Sequence, residues 1–430
     1  MQPLSLMKLG GNFKVGEIMR HKFFYLYQLA DVIFTSSCRA IGILLAWVMI
    51  QHYQLKIELG WFITGAWFSQ VIVLIFMGWF SDRFEKITIP IVCSFLSFIG
   101  LIVLELSGSI SAIGLGSIYV ISALLCIAIQ PIGSSIIPNL FSHENIEKAF
   151  RIRGFVNSIN TVLGAMISGF IINYFTTEQT IKILTATVGT AFILFMMVKT
   201  KENILASGDF EGSFALKALL NNKIERVLVV VSALSNFVLT PTLMYITPIL
   251  VIEKYKYTAF EIGISEAVFG LGMLIGSLFL CGAFNKKFGI RLTTILSILS
   301  VVLGLLSILI LNHIFALFLG LLFTGIGVVM YNINTTKIRC LATPTHLRNS
   351  FESLFLAVCI IPIPVGVAVS TLLVESGKLD LSLALFSLLI FFSAIAIWQL
   401  KDFVILTNLD DQEIENYYVK LYPDAYPNKA

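Results

Sequence analysis

Long apolar runs separated by short polar loops dominate the chain. A helix needs about 20 apolar residues to cross the hydrocarbon core of a bilayer, and twelve runs meet this need. The pattern therefore predicts an all-α membrane protein with twelve transmembrane helices, arranged as two six-helix pseudo-repeats. The predicted helices are Phe23–Ile50, Leu59–Phe80, Ile87–Leu106, Gly114–Leu140, Phe155–Phe175, Thr180–Val198, Val227–Ile252, Phe260–Phe284, Leu292–Leu311, Ile314–Lys337, Leu354–Val374 and Leu381–Leu400.

The composition explains why lipid, rather than water, must surround these runs. Hydrophobic residues make up 57% of the 430 residues and charged residues only 13%, whereas about 25% of residues are charged in a typical soluble protein. In lipid every backbone N–H and C=O needs a partner within the protein, which leaves helices or a closed β-barrel. The long runs, unlike the short alternating segments of a membrane barrel, select helices.

The longest internal loop divides the twelve predicted helices into six and six. We predict a cytoplasmic N-terminal segment (1–22), a first bundle (23–198), a cytoplasmic linker (199–226), a second bundle (227–400) and a cytoplasmic tail (401–430). Lys and Arg concentrate in the loops of one side, Arg153 among them, and the positive-inside rule assigns that side to the cytoplasm. We therefore expect a multi-pass protein of the inner (cytoplasmic) membrane with both termini in the cytoplasm.

The remaining chemistry of the sequence excludes several classes of protein. The six cysteines form no CxxC, and the five histidines lie in loops or at helix ends, so neither type indicates a metal site. No Walker loop is present, the basic residues form no stripe that suits nucleic acid, and no cluster of catalytic groups is visible. We expect no enzyme activity and no cofactor, with a proton gradient as the energy source. The expected partners are the lipid bilayer, a small-molecule substrate and protons, with no nucleic acid, and the chain is expected to be a monomer.

The loop after the second predicted helix carries the most specific motif, Gly78-Trp-Phe-Ser-Asp82-Arg83-Phe-Glu-Lys86. It resembles the G-x-x-x-D-R-x-x-R/K motif of the major facilitator superfamily. A degenerate copy, Gly282-Ala-Phe-Asn-Lys286-Lys287-Phe-Gly289-Ile-Arg291, follows the eighth helix, at the matching position of the second half. Two copies at matching positions favour membership of this family over a coincidence of basic loops.

The resemblance implies a fold and a set of gating residues. Helices one, four, seven and ten would line a central cavity, about which the two halves rock. Glycine allows a close helix approach, and an aspartate is favoured at a helix N-terminus. These contacts would form when the cytoplasmic side is closed. The residues implied as a conformational latch are Gly78, Asp82, Arg83, Gly282, Lys287 and Gly289, although Lys286 replaces the aspartate in the second copy.

Two shorter segments resemble branches of the family. The start of the first helix, Phe24-Tyr-Leu-Tyr-Gln28-Leu-Ala-Asp31, is similar to the enterobactin and macrolide exporters. The segment Gly164-Ala-Met-Ile-Ser-Gly169 of helix five is similar to the antiporter motif G-P-x-x-G-G, without its proline and one glycine. Ordinary packing of small residues between helices also explains these two glycines.

Ionisable residues inside membrane helices are costly, at roughly 2.5–3.5 kcal/mol each on insertion scales, and therefore indicate function. Asp31 lies near the predicted midplane of helix one, which makes it the candidate for proton coupling, with a structural pairing as the alternative. Arg39 lies about 12 Å further along the same helix, too far for a direct ion pair with Asp31. It could bind an anionic group of the substrate or extend to the outer interface. Glu266 in helix eight is a second acidic candidate for the cavity.

Polar residues at mid-membrane depth complete the predicted substrate site. Gln130 in helix four, Asn236 in helix seven and Thr324 in helix ten could each bind substrate, or could link helices. Together these residues predict a secondary transporter for a small organic molecule, with proton-coupled efflux of a drug or siderophore-like metabolite as the leading hypothesis. The alternative is an importer of a nutrient or metal–siderophore complex in the same fold.

Overall fold

The computed structural model describes residues 6–81, 85–107, 110–137, 143–198, 212–344 and 347–426. Among these residues, eleven helical stretches are long and apolar enough to cross a membrane. The longest, Ala259–Leu311, contains a break at Gly289 and therefore forms two helices. The predicted fold class, an all-helical membrane protein, is confirmed. The helices are α1 (Lys22–His52, continuing a helix that begins at Leu6), α2 (Lys56–Ser81), α3 (Thr88–Leu106), α4 (Ala112–Ser135), α5 (His143–Tyr174), α6 (Thr177–Met197), α7 (Lys223–Lys254), α8 (259–288), α9 (290–311), α10 (Ile314–Ala342), α11 (Arg348–Ile360 with Pro362–Glu375) and α12 (Leu379–Trp398).

The turn between α8 and α9 depends on Gly289. Its φ of 76° and ψ of 161° leave the helical region, and glycine adopts a positive φ without a steric penalty. The chain changes direction here within a single residue, so the second copy of the loop motif is a sharp turn. A side chain at this position would strain the backbone.

The packing of the helices repeats in the two halves of the chain. In the first half α1 packs against α4, α5 and α6, while α4 also contacts α2 and α3, and α3 contacts α6. Each of these pairs recurs six helices later, so that α7 packs against α10, α11 and α12, while α10 contacts α8 and α9, and α9 contacts α12. The contacts between halves are also reciprocal, because α5 packs on α8 as α11 packs on α2. This pattern is that of two structural repeats related by pseudo-symmetry.

The two halves touch at one end of the bundle, which we call the closed end. There the Lys56 ammonium at the start of α2 lies 2.7 Å from the Glu253 carboxylate at the end of α7. A Cβ atom added to Gly263 in α8 would lie 2.5 Å from the carbonyl oxygen of Ala165 in α5. Such a distance leaves no room for a side chain, so glycine is required for this close helix contact.

The α2–α11 contact at the closed end is equally tight. A Cβ atom added to Gly60 would lie 2.1 Å from the Oγ1 atom of Thr371, and Thr371 is completely buried. Among the described residues, these two tight helix contacts and the Lys56–Glu253 ion pair all help to hold the halves together at the closed end.

The helices α5 and α8 diverge toward the opposite end, which we call the open end. Gly154 lies on the same face of α5 as Thr161 and Ala165, because its spacings of seven and eleven residues return to that face. Whereas Thr161 and Ala165 contact α8, a Cβ atom added to Gly154 would meet no described atom within 4 Å. The halves therefore separate between the level of Thr161 and the level of Gly154.

The C-terminal tail folds back onto the open end of the second half. Three short helices, Lys401–Thr407, Asp411–Ile414 and Tyr417–Leu421, carry the chain across this surface. The Tyr418 side chain is fully buried, and its hydroxyl donates to the Glu225 carboxylate of α7 over 2.6 Å. Burial, with the neighbouring carboxylate of Glu225, raises the pKa of Tyr418, so the hydroxyl retains the proton that it donates.

A buried charge network lies beneath the tail. The Arg339 guanidinium of α10 makes two hydrogen bonds to the Glu352 carboxylate of α11, over 2.6 and 3.0 Å, and lies 3.9 Å from Glu225. It also stacks on the Phe355 ring at 3.6 Å. Tyr418 thereby joins a network that connects α7, α10 and α11, and the tail is part of the folded second half.

We expect Tyr418→Phe to lower the thermal unfolding midpoint of the purified protein. The variant leaves one oxygen of the buried Glu225 carboxylate without its hydrogen-bond donor, which costs about 1–3 kcal/mol. Thermal unfolding followed by intrinsic fluorescence measures the effect. Tyr422→Phe is the matched control, because the Tyr422 hydroxyl donates to the partly buried Asp402 within the tail and its loss costs less. An unchanged midpoint for Tyr418→Phe would contradict the structural role of the tail.

Candidate functional site

A cavity of about 390 Å³ lies between the two halves, within the size range of small-molecule sites. Its wall is formed by α1, α2, α4, α5, α7 and α8. The family resemblance of the loop motifs implied that α1, α4, α7 and α10 line the cavity. Of these, α10 contributes no residue among the described lining, and α2, α5 and α8 complete the wall instead. Aromatic rings of Trp67, Tyr119 and Phe269 give the cavity a largely apolar surface, with Gln70 and Gln130 as amide groups.

An ion pair between the two halves forms part of the cavity wall. The Arg39 Nη1 atom of α1 lies 3.2 Å from the Glu266 Oε2 atom of α8, and both side chains line the cavity. Arg39 Nη1 also donates to the Thr161 carbonyl oxygen over 3.4 Å. The side chains keep 30% and 19% of their surface exposed, so both remain accessible from the cavity.

Asp31 makes a second ion pair, buried within the first half. Its Oδ2 atom accepts a hydrogen bond from the Arg153 Nη1 atom of α5 over 2.9 Å, with both side chains less than a tenth exposed. Arg153 Nη2 approaches the Gln130 carbonyl oxygen at 3.5 Å. A Cβ atom added to Gly133 in α4 would lie 2.1 Å from the guanidinium, so this glycine makes room for Arg153. Asp31 thus lies in the α1–α5 contact and is not among the described lining of the cavity.

The placement of Arg153 in a loop was wrong. Helix α5 begins at His143 in the described residues, well before the predicted start at Phe155, and Arg153 is a buried helical residue. The guanidinium tolerates this position because Asp31 neutralises it and the Gln130 carbonyl lies close to it.

A stripe of polar contacts connects the two ion pairs along the α1–α5 contact. The Asn160 amide nitrogen donates to Thr35 Oγ1 over 2.9 Å, and the Ser36 hydroxyl donates to the Asn160 amide oxygen over 2.5 Å. Thr35 lies one turn from Asp31 and one turn from Arg39 on the same face of α1. The stripe therefore runs from the buried Asp31 pair to the cavity.

The other predicted substrate residues take different positions. Gln130 lines the cavity. The Asn236 amide donates to the Cys359 carbonyl oxygen of α11 over 2.9 Å and so links α7 to α11. Thr324 is 1% exposed, donates to the Gly320 carbonyl oxygen of its own helix and lies against Gly304 of α9. Asn236 and Thr324 are thus in helix contacts and are not among the described lining.

The predicted latch residues are only partly described. Gly78 lies in α2, whereas Asp82 and Arg83 lie outside the described residues. In the second copy, a Cβ atom added to Gly282 would meet no described atom within 4 Å. The Lys287 ammonium lies 5.2 Å from the centre of the adjacent Phe288 ring, and Gly289 forms the turn between α8 and α9.

No group of three or more His, Cys, Asp or Glu side chains that could hold a metal ion occurs in the part of the chain that the structure describes.

The ionisable groups that sequence reasoning missed are Arg153 and the network of Glu225, Arg339 and Glu352. All four lie near the ends of apolar runs, where a charged residue is expected to face water. A signal that could have found Arg153 is the buried acid Asp31, which required a basic partner.

Two similar six-helix halves around a central cavity are an architecture of secondary transporters. The sequence model of the Major Facilitator Superfamily matches residues 29–350 and, separately, residues 227–404. The chain therefore belongs to the Major Facilitator Superfamily. It is a membrane transporter and not an enzyme, and the family generally needs no cofactor.

The fold also resembles solved transporter structures. The nucleoside transporter NupG superposes with a TM-score of 0.69 at 16% identity, covering 89% of this chain and 100% of that chain. A D-xylose-proton symporter gives 0.69 at 14% identity, with 87% and 96% covered. The peptide transporter POT gives 0.72 at 12% identity, with 90% and 96% covered. Such low identities establish the fold alone, and a search of curated protein sequences found no match.

Proposed function

We propose that this chain moves a small amphipathic organic molecule across the inner membrane by proton-coupled alternating access. The observation that carries the proposal is the cavity between two halves that touch at the closed end and separate toward the open end. An ion pair from Arg39 to Glu266 joins the halves beside this cavity. Loading of the cavity and separation of the halves can therefore affect each other directly.

The orientation follows from the distribution of Lys and Arg in the loops. We assign the open end to the cytoplasm, because the loops of that end carry most of the basic residues. Both termini are then cytoplasmic, and the division at residues 199–226 is a linker between the bundles. The structure would correspond to an inward-facing conformation. We propose that the contacts implied for Gly78, Asp82, Arg83, Gly282 and Lys287 form when the cytoplasmic side closes.

We propose Asp31 as the coupling residue, acting through Arg153. In its charged form Asp31 neutralises Arg153 and holds α5 against α1. Protonation of Asp31 removes this pairing, and the freed guanidinium must find other acceptors. Since the Thr35–Asn160 contacts continue from this pair toward Arg39, a shift of α5 against α1 would alter the cavity wall.

Efflux of a drug or siderophore-like metabolite is the proposed direction, supported by the similarity of the segment Phe24–Asp31 to the enterobactin and macrolide exporters. Import of a nutrient or metal–siderophore complex is the second candidate. One observation favours it, because Arg39 faces the cavity and could bind a carboxylate-rich substrate. Transport measured in inside-out and right-side-out vesicles distinguishes the two directions.

Alternating access can be tested with two native cysteines, because Cys38 and Cys126 both line the cavity. We expect a membrane-impermeant maleimide to alkylate them from the cytoplasmic side in the conformation described here. In a Cys340→Ser background the remaining cysteines are buried and serve as internal controls. Equal labelling from both sides, or labelling from neither side, would contradict the proposed function.

A further inference from the structure

We propose that the transported molecule is zwitterionic, with an anionic group that binds Arg39, a cationic group that binds Glu266, and an aromatic body. This inference rests on the proposed function, since it names the class of substrate for the same cavity. The inference follows from the hydrogen-bonding groups of Arg39 and Glu266 that have no partner among the described residues, and from the aromatic rings that line the same cavity.

The ion pair uses only part of the hydrogen-bonding capacity of its two members. A guanidinium has five N–H donors and a carboxylate has two acceptor oxygens. Only Nη1 of Arg39 and Oε2 of Glu266 have partners among the described residues. The Arg39 Nη2 and Nε groups and the Glu266 Oε1 atom remain, and both side chains are partly exposed to the cavity. The cavity therefore offers a donor group and an acceptor group side by side.

The charges of this pair determine which ligands gain by binding. A purely cationic ligand that took Glu266 would leave Arg39 unpaired, and a purely anionic ligand that took Arg39 would leave Glu266 unpaired. An unpaired charge that is withdrawn from water is unfavourable. A zwitterion pairs with both, so two new ion pairs replace the one that is broken.

This exchange of ion pairs also explains how such a ligand could change the conformation of the transporter. Arg39 belongs to the first half and Glu266 to the second. A zwitterion that binds both residues would replace the direct ion pair between the halves with a longer connection that runs through the ligand. The rings of Trp67, Tyr119 and Phe269 line the remaining wall, and flat apolar surfaces of this kind pack well against an aromatic body.

The experiment measures protection of Cys38 and Cys126 against a small maleimide in purified protein reconstituted in nanodiscs. The probes are L-phenylalanine, L-tryptophan and 4-phenyl-L-phenylalanine, each compared with its methyl ester, which is cationic, and its N-acetyl derivative, which is anionic. We expect at least one zwitterion to protect at concentrations about tenfold lower than its two derivatives, a ratio that corresponds to about 1.4 kcal/mol.

Variants assign this preference to the ion pair. Arg39→Gln should remove the advantage of the zwitterion over the methyl ester, and Glu266→Gln should remove its advantage over the N-acetyl derivative. The double variant Arg39→Glu with Glu266→Arg keeps the pair and should keep the preference. Lys56→Gln is the matched control, because Lys56 also forms an ion pair between the halves but is not among the described lining residues.

The outcomes separate this inference from the proposed function. Equal protection by a zwitterion and its derivatives, or no protection by any of the three zwitterions, overturns the zwitterion proposal. A loss of preference in Lys56→Gln as large as that in Arg39→Gln also overturns it. The labelling of Cys38 and Cys126 from one side of the membrane, which tests alternating access, does not depend on any of these results.

Discussion

Asp31→Asn is expected to abolish the proton dependence that we propose for this transporter while leaving a protein that still inserts into the membrane. Asparagine has the shape of the protonated carboxylic acid but cannot release a proton, so it fixes the coupling residue in one state. Maleimide reacts with the thiolate, so the alkylation rate of Cys38 and Cys126 from the cytoplasmic side is divided by their rate in unfolded protein at the same pH. In the wild type this ratio should change with pH. In the variant the ratio should be independent of pH, and proton-driven transport in vesicles should be lost.

The structure adds a second consequence to this substitution. Asp31→Asn leaves the Arg153 guanidinium buried without a counter-charge, and breaking a buried ion pair costs about 3–5 kcal/mol. The single variant should therefore be markedly less stable than the wild type. The double variant Asp31→Asn with Arg153→Gln removes both charges and should recover most of this stability, as expected for two residues in contact.

The double variant distinguishes an effect of Asp31 on proton coupling from an effect on protein stability. It should be stable, bind ligand in the cavity and show no pH response. A pH response of wild-type size in the stable double variant would remove Asp31 from the mechanism, whatever the stability of the single variant. A single variant as stable as the wild type would contradict the buried ion pair.

The helices of the fold could be predicted from the sequence because a bilayer imposes a length on each apolar run. Most of the predicted spans agree with the structure. The predicted and observed helix ends differ most where polar residues extend a helix beyond its apolar run, as at the start of α5. The second loop motif was predicted to follow the eighth helix, and the turn at Gly289 lies within that motif. Charged residues within apolar runs, Asp31, Arg39 and Glu266, could be selected for the same reason, since each is costly in lipid.

The partners of these residues could not be predicted. Arg39 and Glu266 are 227 positions apart, and no local pattern connects them. Arg153 was assigned to a loop because it follows other basic residues at the edge of an apolar run. Whether Asn236 and Thr324 face the cavity or a neighbouring helix could not be predicted from the sequence either. A helix that is apolar all round shows no periodicity that separates the cavity side from a helix contact.

Gly60→Leu is expected to reverse the side from which the cavity can be reached. In the structure the Gly60 position lies against the buried Thr371 side chain of the other half, so a leucine cannot fit while the closed end is closed. Overpacking of this kind costs about 1–3 kcal/mol. Under the proposed alternating access the closed end separates in each transport cycle, so the clash is relieved in the opposite conformation. The cost is therefore expressed as a shift in the conformational equilibrium, of roughly 5–150-fold.

The same labelling of Cys38 and Cys126 measures this shift. For Gly60→Leu, alkylation from the cytoplasmic side should slow and alkylation from the opposite side should rise. Gly65→Leu in the same helix is the matched control, because a Cβ atom at Gly65 would meet no described atom within 4 Å. Gly263→Leu, which clashes with the Ala165 carbonyl in the α5–α8 contact, should act in the same direction as Gly60→Leu. If both variants label like the wild type, the contacts at the closed end do not open during the cycle, and the rocking of the two halves about the cavity is excluded.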